Sequence, residues 1–258
     1  IFITGWNEWT AQRQNSTSNG TICFVDCASI EASRDAEPMS GGYGDNYYML
    51  MMDYIRKFKG TAGNVTADSN VSININGGFG QWDYIHAYYR DYENDTVNRD
   101  HTHYQTYVNK TGRNDIVEAK VCNDPDNIYF FVKTASAITA AEGSNWMNLF
   151  ISTGASKGWK GYNYQLNCKA PAGNLAYLGK LADSDTYSVA STATVSYKVS
   201  GDTMMVKIPK SALGISGNSF EIAFKWSDNC ETGNIDSFYT DGDAAPIGRM
   251  NYVYKVAW

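Results

Sequence analysis

The first nine residues combine side-chain types that can bind and cleave sugars. An apolar run, Ile1-Phe2-Ile3, is followed after two residues by Trp6-Asn7-Glu8-Trp9. Indole faces stack on pyranose rings, an amide hydrogen-bonds hydroxyls, and a carboxylate can transfer a proton or attack the anomeric carbon. The pattern predicts Glu8 as a catalytic carboxylate and Trp6, Asn7 and Trp9 as substrate-binding residues. The alternative is an aromatic pair that caps a core beside a solvated Glu8.

Such residues need a strand to position them. The apolar run predicts a buried strand, and carboxylates at the carboxyl end of a barrel strand are typically catalytic. Because the chain starts inside this strand, we expect a longer polypeptide, with the remainder of the barrel upstream. Residues 1–60 would then be the last strand and helix of a (β/α)8 barrel. An amphipathic helix is predicted near residues 45–59, and its apolar stripe is expected to be core: Tyr48, Met51, Met52, Ile55 and Phe58.

The composition favours an extracellular, sugar-handling protein. Of 258 residues, 43% are hydrophobic and 14% aromatic, and only 19% are charged. The net charge of −6 argues against a nucleic-acid partner, and no apolar run approaches the ~20 residues that cross a bilayer. The five cysteines allow at most two internal bridges. Six Asn-X-Ser/Thr sequons lie in polar stretches and could carry glycans: Asn15, Asn19, Asn64, Asn70, Asn94 and Asn109.

The second part of the chain follows a different pattern. Residues 61–70 are small and polar and predict a linker, after which the hydrophobic period changes from helical to alternating. Short alternating segments with Gly, Asp and Asn turns predict an antiparallel β-sandwich over residues 71–258. The first strand is expected at residues 71–76 and the last at 252–256.

Residues 1–60 resemble the sugar-active barrels related to glycoside hydrolase family 99. The resemblance is carried by Trp6-Asn7-Glu8-Trp9, Glu37-Pro38 and Gly41-Gly42-Tyr43-Gly44-Asp45. It implies that Glu8 lies in an active-site cleft and that Glu37 contributes to substrate binding. In endo-mannosidases of that family a second Glu follows three residues after the first, but Ala11 occupies that position here. A second acid would have to come from Asp26, Glu31, Asp35 or the upstream strands. An ion pair of Arg34 with Asp35 or Glu37 that only orders the loop is an alternative.

Residues 71–258 resemble the family 9 carbohydrate-binding modules and the DOMON-like sandwiches. The resemblance is carried by several segments together, among them Gly80-Gln81-Trp82, residues 127–132, residues 145–151 and residues 224–229. It implies sugar binding between aromatic residues and allows calcium. No other cofactor is implied, and a fold by itself does not establish a function.

Within this sandwich, Trp159 and Tyr162 are the predicted sugar-binding residues. Trp159 lies in a glycine-flanked, basic loop, Ser156-Lys157-Gly158-Trp159-Lys160-Gly161-Tyr162, where an indole is expected to be exposed. The alternative is that it folds back on the sheet. Trp82, Trp146 and Trp226 are expected in the core. His101 and His103 favour a solvated loop, and Asp124-Pro125-Asp126-Asn127 favours a turn, so no metal is assigned.

Two hypotheses follow. The first is the C-terminal part of a secreted, glycoside-hydrolase-like protein, whose sandwich binds carbohydrate or braces the barrel. This chain alone is then expected to be inactive in hydrolysis. The second is a non-enzymatic glycan-binding or structural protein of the cell surface or extracellular space.

Overall fold

The computed structural model describes residues 2–3, 5–9, 13–14, 23–24, 35–39, 41–60, 65–102, 106–143 and 145–257. Contacts between residues divide the chain into two compact units, Ile1–Gly63 and Asn64–Trp258. Each unit is described by itself.

Among its described residues, the first unit contains one α-helix and one short strand pair. Strand β1 (Arg13–Gln14) pairs antiparallel with β2 (Cys23–Phe24), and helix α1 spans Asn46–Lys59. The helix ends at Gly60, whose φ of 78° suits a residue without a Cβ. Basic side chains in its last turn complement the helix dipole: Arg56, Lys57 and Lys59.

Two local expectations for this unit are wrong. Phe2 and Ile3 lie outside any strand and are exposed, Phe2 to 90%, so the predicted buried strand is absent at these positions. None of the fourteen residues of α1 is buried, and Phe58 is 70% exposed. The apolar stripe of α1 is therefore not a core stripe among the described residues. Apolar spacing sets which face of a helix prefers burial, but only a neighbouring element can bury it.

The second unit is mostly β-structure. Its strands are β3 (Asp68–Ser69), β4 (Tyr88–Arg90), β5 (Arg99–His101), β6 (Tyr107–Asn109), β7 (Ile116–Asn123), β8 (Asn127–Thr134), β9 (Asn148–Ser152), β10 (Tyr164–Leu166), β11 (Leu175–Leu181), β12 (Val189–Ser200), β13 (Thr203–Pro209), β14 (Phe220–Asp228), β15 (Asp243–Ala245) and β16 (Tyr252–Val256). Helix α2 (Ser237–Thr240) is one turn long, and 3-10 helices span Phe79–Tyr84 and Lys210–Leu213.

Most of these strands form one nearly closed sheet. Its order is β15-β14-β9-β10-β11-β12-β13-β8-β7-β3, with β16 also beside β14 and β4 also beside β7. A hydrogen bond joins the two ends of this sheet. The Tyr89 hydroxyl of β4 donates to the Val253 carbonyl of β16, at 2.7 Å. The pairing is antiparallel except between β3 and β7. The predicted mainly-β, sandwich-like fold is confirmed.

Residues 71–76 do not form the predicted strand. The side chain of Gln81 accepts a hydrogen bond from the Asn74 amide and donates to the Asn74 carbonyl. These bonds replace the ladder that a strand would need, and the segment lies over the sheet with Ile73 buried. Sequence alternation alone does not distinguish a paired strand from an extended covering segment.

The main core lies inside the sheet, and smaller apolar clusters lie on its outside. On β14, Ile222, Phe224 and Trp226 face the main core. One outer cluster includes Trp82 and Phe131, and a second includes Phe150 and Trp159. Trp82, Trp146 and Trp226 are all buried, as predicted.

Candidate functional site

Two distant segments of the first unit pair through their backbones. The Ala36 amide donates to the Gly5 carbonyl at 3.2 Å, and the Glu37 amide donates to the Trp6 carbonyl at 2.9 Å. This pairing places Glu37 beside Trp6-Asn7-Glu8-Trp9, although many residues separate them in sequence. Residues 5–9 and 35–39 together are called the acid–indole site below.

A side-chain hydrogen bond fixes one indole of this site. Trp9 Nε1 donates to Glu37 Oε2 at 3.1 Å in a half-buried position. A bond to an ionised acceptor is stronger than one between neutral groups, so it orients both side chains. Glu37 therefore has a defined position next to the predicted sugar-binding residues.

The other predicted residues of the site face solvent. Trp6 is 41% exposed and places its ring against Tyr48 of α1, edge to face, at 6.1 Å between centroids. Asn7 and Glu8 are exposed. An exposed indole beside an exposed amide and carboxylate can stack on a sugar ring and bond its hydroxyls. The assignment of Glu8 as catalytic stays a prediction.

One further carboxylate lies at this site. Asp35 is only 3% exposed, and its Oδ2 has no hydrogen-bond partner among the described residues. Gly5 has a φ of +68°, and a Cβ there would lie 3.4 Å from Asp35 Oδ1, so the Asp35 side chain packs against the backbone of Gly5. The positions Ala11, Asp26, Glu31 and Arg34 lie outside the described residues.

The expected exposure of Trp159 is wrong. Trp159 is 1% exposed, and Tyr162 is buried with its hydroxyl donating to Asn251 Oδ1 at 2.7 Å. The loop folds back because Gly158 has a φ of +56°, and a Cβ there would lie 2.0 Å from the Tyr162 carbonyl oxygen. Both rings pack on Phe150 of β9. A ring without an open face cannot stack on a sugar, so neither residue enters the proposals below.

The sequence did not predict a polar cavity in the second unit. It has a volume of about 520 Å³ and is lined by residues 94–99 and by residues 238–239, 241–244 and 247. The volume is in the range of small-molecule sites. Asp95, Asp241 and Asp243 bring carboxylates to its lining, and Arg99 brings a guanidinium. The sequence feature that could have indicated this cavity is the number of Asp residues in both segments. Asp is also common in turns, so this feature was not specific.

Three carboxylates meet at one side of this cavity. Oxygens of Asp91, Asp95 and Asp243 all lie within 4.8 Å of one another. Burial raises the pKa of Asp91 to about 7 and that of Asp243 to about 8, and it raises the pKa of Asp95. Oxygen ligands in this arrangement could hold a hard cation. Lys225 opposes this use, because its positive charge interacts with Asp91 and Asp243.

The sequons differ in how available their amides are. Asn70 and Asn94 are exposed, with φ of 64° and 70°. In contrast, Asn109 Nδ2 donates to the Thr240 carbonyl at 2.8 Å and to Asp241 Oδ1 at 3.0 Å. A glycan on Asn109 would disrupt these bonds. The remaining sequons, Asn15, Asn19 and Asn64, lie outside the described residues.

Other candidates from the sequence have structural roles. Asp124 Oδ1 accepts from the backbone amides of Asp126 and Asn127, which makes this segment the predicted turn. His101 is in β5, while His103 lies outside the described residues. Cys122, Cys168 and Cys230 are free thiols. Burial raises the pKa of all three, so they are poor nucleophiles.

Comparisons with known proteins give a distant fold relative only. No protein-family model matches the chain. No curated protein sequence matches it. The chain is similar to the crystal structure of a Bacteroides uniformis protein to which carbohydrate binding has been ascribed by inference, at 11% identity and a TM-score of 0.37. The match covers 76% of this chain and 90% of that one, and it is too weak to support a functional argument. Among the described helices, none has the length and apolar character needed to cross a membrane.

Proposed function

We propose that this chain is part of a secreted, glycoside-hydrolase-like protein and binds carbohydrate at the acid–indole site. The observation that supports the proposal is the pairing of residues 5–9 with residues 35–39, which fixes Glu37 on the indole of Trp9. It leaves the ring of Trp6 and the carboxylate of Glu8 open to solvent. The composition and the resemblance of residues 1–60 to family 99 barrels agree with this function.

In the proposed mechanism each residue has a distinct role. Trp6 stacks on a sugar ring, and Asn7 hydrogen-bonds its hydroxyls. Glu8 protonates the glycosidic oxygen, removes a proton from the attacking water, or attacks the anomeric carbon while the second carboxyl group protonates the leaving oxygen. Glycoside hydrolysis needs two carboxyl groups, about 5–10 Å apart depending on the stereochemical outcome. Glu37 and Asp35 are the described carboxylates that meet this site, so they are the candidates for the second group.

A non-enzymatic glycan-binding function is the second candidate. It is favoured by Ala11, which stands where the related endo-mannosidases have their second Glu. In this case the same aromatic and amide contacts bind the glycan, and no bond is cleaved.

The two candidates are separated by one set of variants of the full 258-residue chain. Binding would be measured on a glycan array and hydrolysis by release of reducing ends from each bound glycan. We expect Trp6→Ala to weaken glycan binding at least about tenfold, which corresponds to ~1.4 kcal/mol. Tyr54→Ala is the matched control, since Tyr54 is an exposed aromatic of the same unit outside the site.

Glu8→Gln then distinguishes catalysis from binding. If the protein is a hydrolase, this variant loses cleavage and retains binding, because the amide keeps the shape of the side chain. Cleavage by the wild type supports the first candidate. Because this chain alone is expected to be inactive in hydrolysis, binding without cleavage supports the non-enzymatic candidate only when a polypeptide that also carries the upstream strands gives the same result. Binding that Trp6→Ala leaves unchanged would refute the acid–indole site.

A further inference from the structure

The polar cavity of the second unit combines both signs of charge in one lining. Asp95 and Asp243 contribute carboxylates, and Arg99 contributes a guanidinium. Carboxylates accept hydrogen bonds, whereas a guanidinium only donates them. No ion pair joins Arg99 to an acid among the described residues of this unit, so both types of group are available to a ligand.

A fully buried lysine lies next to this cavity. Lys225 of β14 has no exposed surface, and its Nζ has no hydrogen-bond partner among the described residues. Its Nζ is 5.2 Å from the centroid of the Phe238 ring, and Phe238 lines the cavity. The charge of Lys225 also acts on Asp91 and Asp243.

The charges limit what the cavity can bind. A metal cation would be repelled by Arg99, and it would fill little of a cavity of about 520 Å³. Burial raises the pKa of Asp91 to about 7 and that of Asp243 to about 8, so near pH 7 these groups carry little negative charge to balance a cation, and in their ionised form they repel an anion. A neutral ligand rich in hydroxyl groups avoids both penalties, because each hydroxyl donates to a carboxylate and accepts from a guanidinium.

An aromatic ring of the lining is held in place. Tyr239 lines the cavity and packs on the backbone of Gly248, whose φ is +63°. A Cβ at position 248 would lie 2.0 Å from Tyr239 Cζ, so only glycine allows the ring to occupy this position. The Gly248 amide also donates to the Phe238 carbonyl at 3.1 Å. A ring fixed in this way loses little entropy when a ligand packs on it.

We infer that this cavity is a second carbohydrate site, which binds a neutral monosaccharide unit through Asp95, Asp243 and Arg99, with Tyr239 as its aromatic wall. It is independent of the acid–indole site and lies entirely within the second unit. In the second unit, the sugar is then bound at this cavity and not at Trp159.

The test is an NMR titration of the full chain with glucose, galactose, mannose and xylose, each up to roughly 50 mM, which detects millimolar dissociation constants. Production in bacteria leaves Asn94, which lines the cavity, without a glycan. We expect saturable shifts in residues 94–99 and 238–247 with at least one sugar. Asp95→Asn and Arg99→Gln should each weaken this binding about tenfold. Both residues are exposed, so folding should be retained.

Controls separate this site from the acid–indole site and from a metal site. Glu93→Gln removes a charge from the same loop outside the cavity lining and should change affinity less than about twofold. Trp6→Ala should leave the shifts in the cavity intact. The inference is overturned if none of the four sugars shifts these residues, if calcium chloride alone shifts them, or if Asp95→Asn and Arg99→Gln leave sugar binding unchanged. None of these outcomes bears on binding at Trp6.

Discussion

Trp6 and Trp159 both lie in short glycine-containing segments, yet the two residues have opposite environments. Trp6 is 41% exposed beside Asn7 and Glu8, whereas Trp159 is 1% exposed among Phe150, Tyr162 and other rings. The difference lies in what surrounds each turn. The turn at Gly158 returns the chain over a large sheet that can bury a ring, while residues 5–9 lie against residues 35–39 and Tyr48, which leave the Trp6 ring partly exposed.

This comparison shows that an aromatic residue next to polar groups has no fixed role. In the first unit, Trp6 and Glu8 are open to a ligand whereas Asp35 is buried, and helix α1 has no buried residue. In the second unit the same residue types stabilise an outer cluster of the sheet. The open functional groups there are instead on the loop at residues 94–99 and on residues 238–247.

The largest expected effect is on stability at Trp159. Trp159→Ala should lower the free energy of unfolding of the second unit by ~3–5 kcal/mol, because it leaves a cavity in a packed cluster. Trp6→Ala should change stability by less than about 0.5 kcal/mol, since the ring is 41% exposed and its removal leaves no cavity in a buried cluster. Urea unfolding measures both values. An unchanged midpoint for Trp159→Ala would contradict the buried environment of this ring.

The second effect depends on pH. Burial raises the pKa of Asp243 to about 8, so the folded state holds this proton more tightly than the unfolded state. The stabilisation that comes from binding this proton is complete below the ordinary pKa of an Asp side chain, near 4, and is lost as the pH rises toward 8. Asp243→Asn keeps an acceptor for the Ile116 amide and removes the charge. The variant should exceed the wild type by ~1–3 kcal/mol at pH 8 and match it near pH 4.

Thermal or urea unfolding at both pH values measures this difference. Lys225 acts in the opposite direction, because burial lowers its pKa to about 7 and its cost is relieved as the pH rises from 7 toward 10.5. It is present in both proteins, so their difference reports mainly on Asp243. A constant difference between pH 4 and pH 8 would show that the carboxylate is not buried.

A smaller effect is expected for the buried hydroxyl of Tyr162. Tyr162→Phe removes the hydrogen bond to Asn251 Oδ1 and should cost ~1 kcal/mol. Glycan binding should be unaffected, because the ring lies in the outer cluster. Weaker binding at unchanged stability would instead place Tyr162 in a sugar site.

The smallest stability effect is expected at Glu37. Glu37→Gln replaces a charged acceptor by a neutral one for Trp9 Nε1 and should cost ~0.5 kcal/mol or less in this half-buried position. Glycan binding, measured by isothermal titration calorimetry, should weaken because Trp9 is less firmly oriented. A loss of stability comparable to that of Tyr162→Phe with no change in binding would make Glu37 a structural residue only.

Much of the second unit could be predicted from the sequence. The alternation in β7, β8, β13, β14 and β16 is regular and turn residues separate the strands, so an antiparallel β-sandwich was predicted and its last strand was placed at the observed bounds, 252–256. Strand β15 was not predicted, because three residues carry no readable period. Residues 71–76 alternate like a strand, but Gln81 takes the hydrogen bonds of Asn74.

The two candidate sites also differ in how far the sequence predicts them. Trp6, Asn7, Glu8 and Trp9 were predicted as site residues from their types and order, which stays a prediction, and the structure adds that Glu37 reaches Trp9. The polar cavity could not be identified, because its lining comes from two segments more than a hundred residues apart. Within each segment the acids resemble ordinary turn residues, and only the fold brings them together.

By itself, the sequence determined the mainly-β class of the second unit and helix α1, since hydrophobic period and turn residues are local properties. It also determined which aromatic and acidic residues could meet a sugar. Only the tertiary structure decided which rings are open, because burial depends on the elements that pack over each residue. That is why Trp159, chosen for its loop, is in a core, and why Asp95 and Asp243 share a cavity.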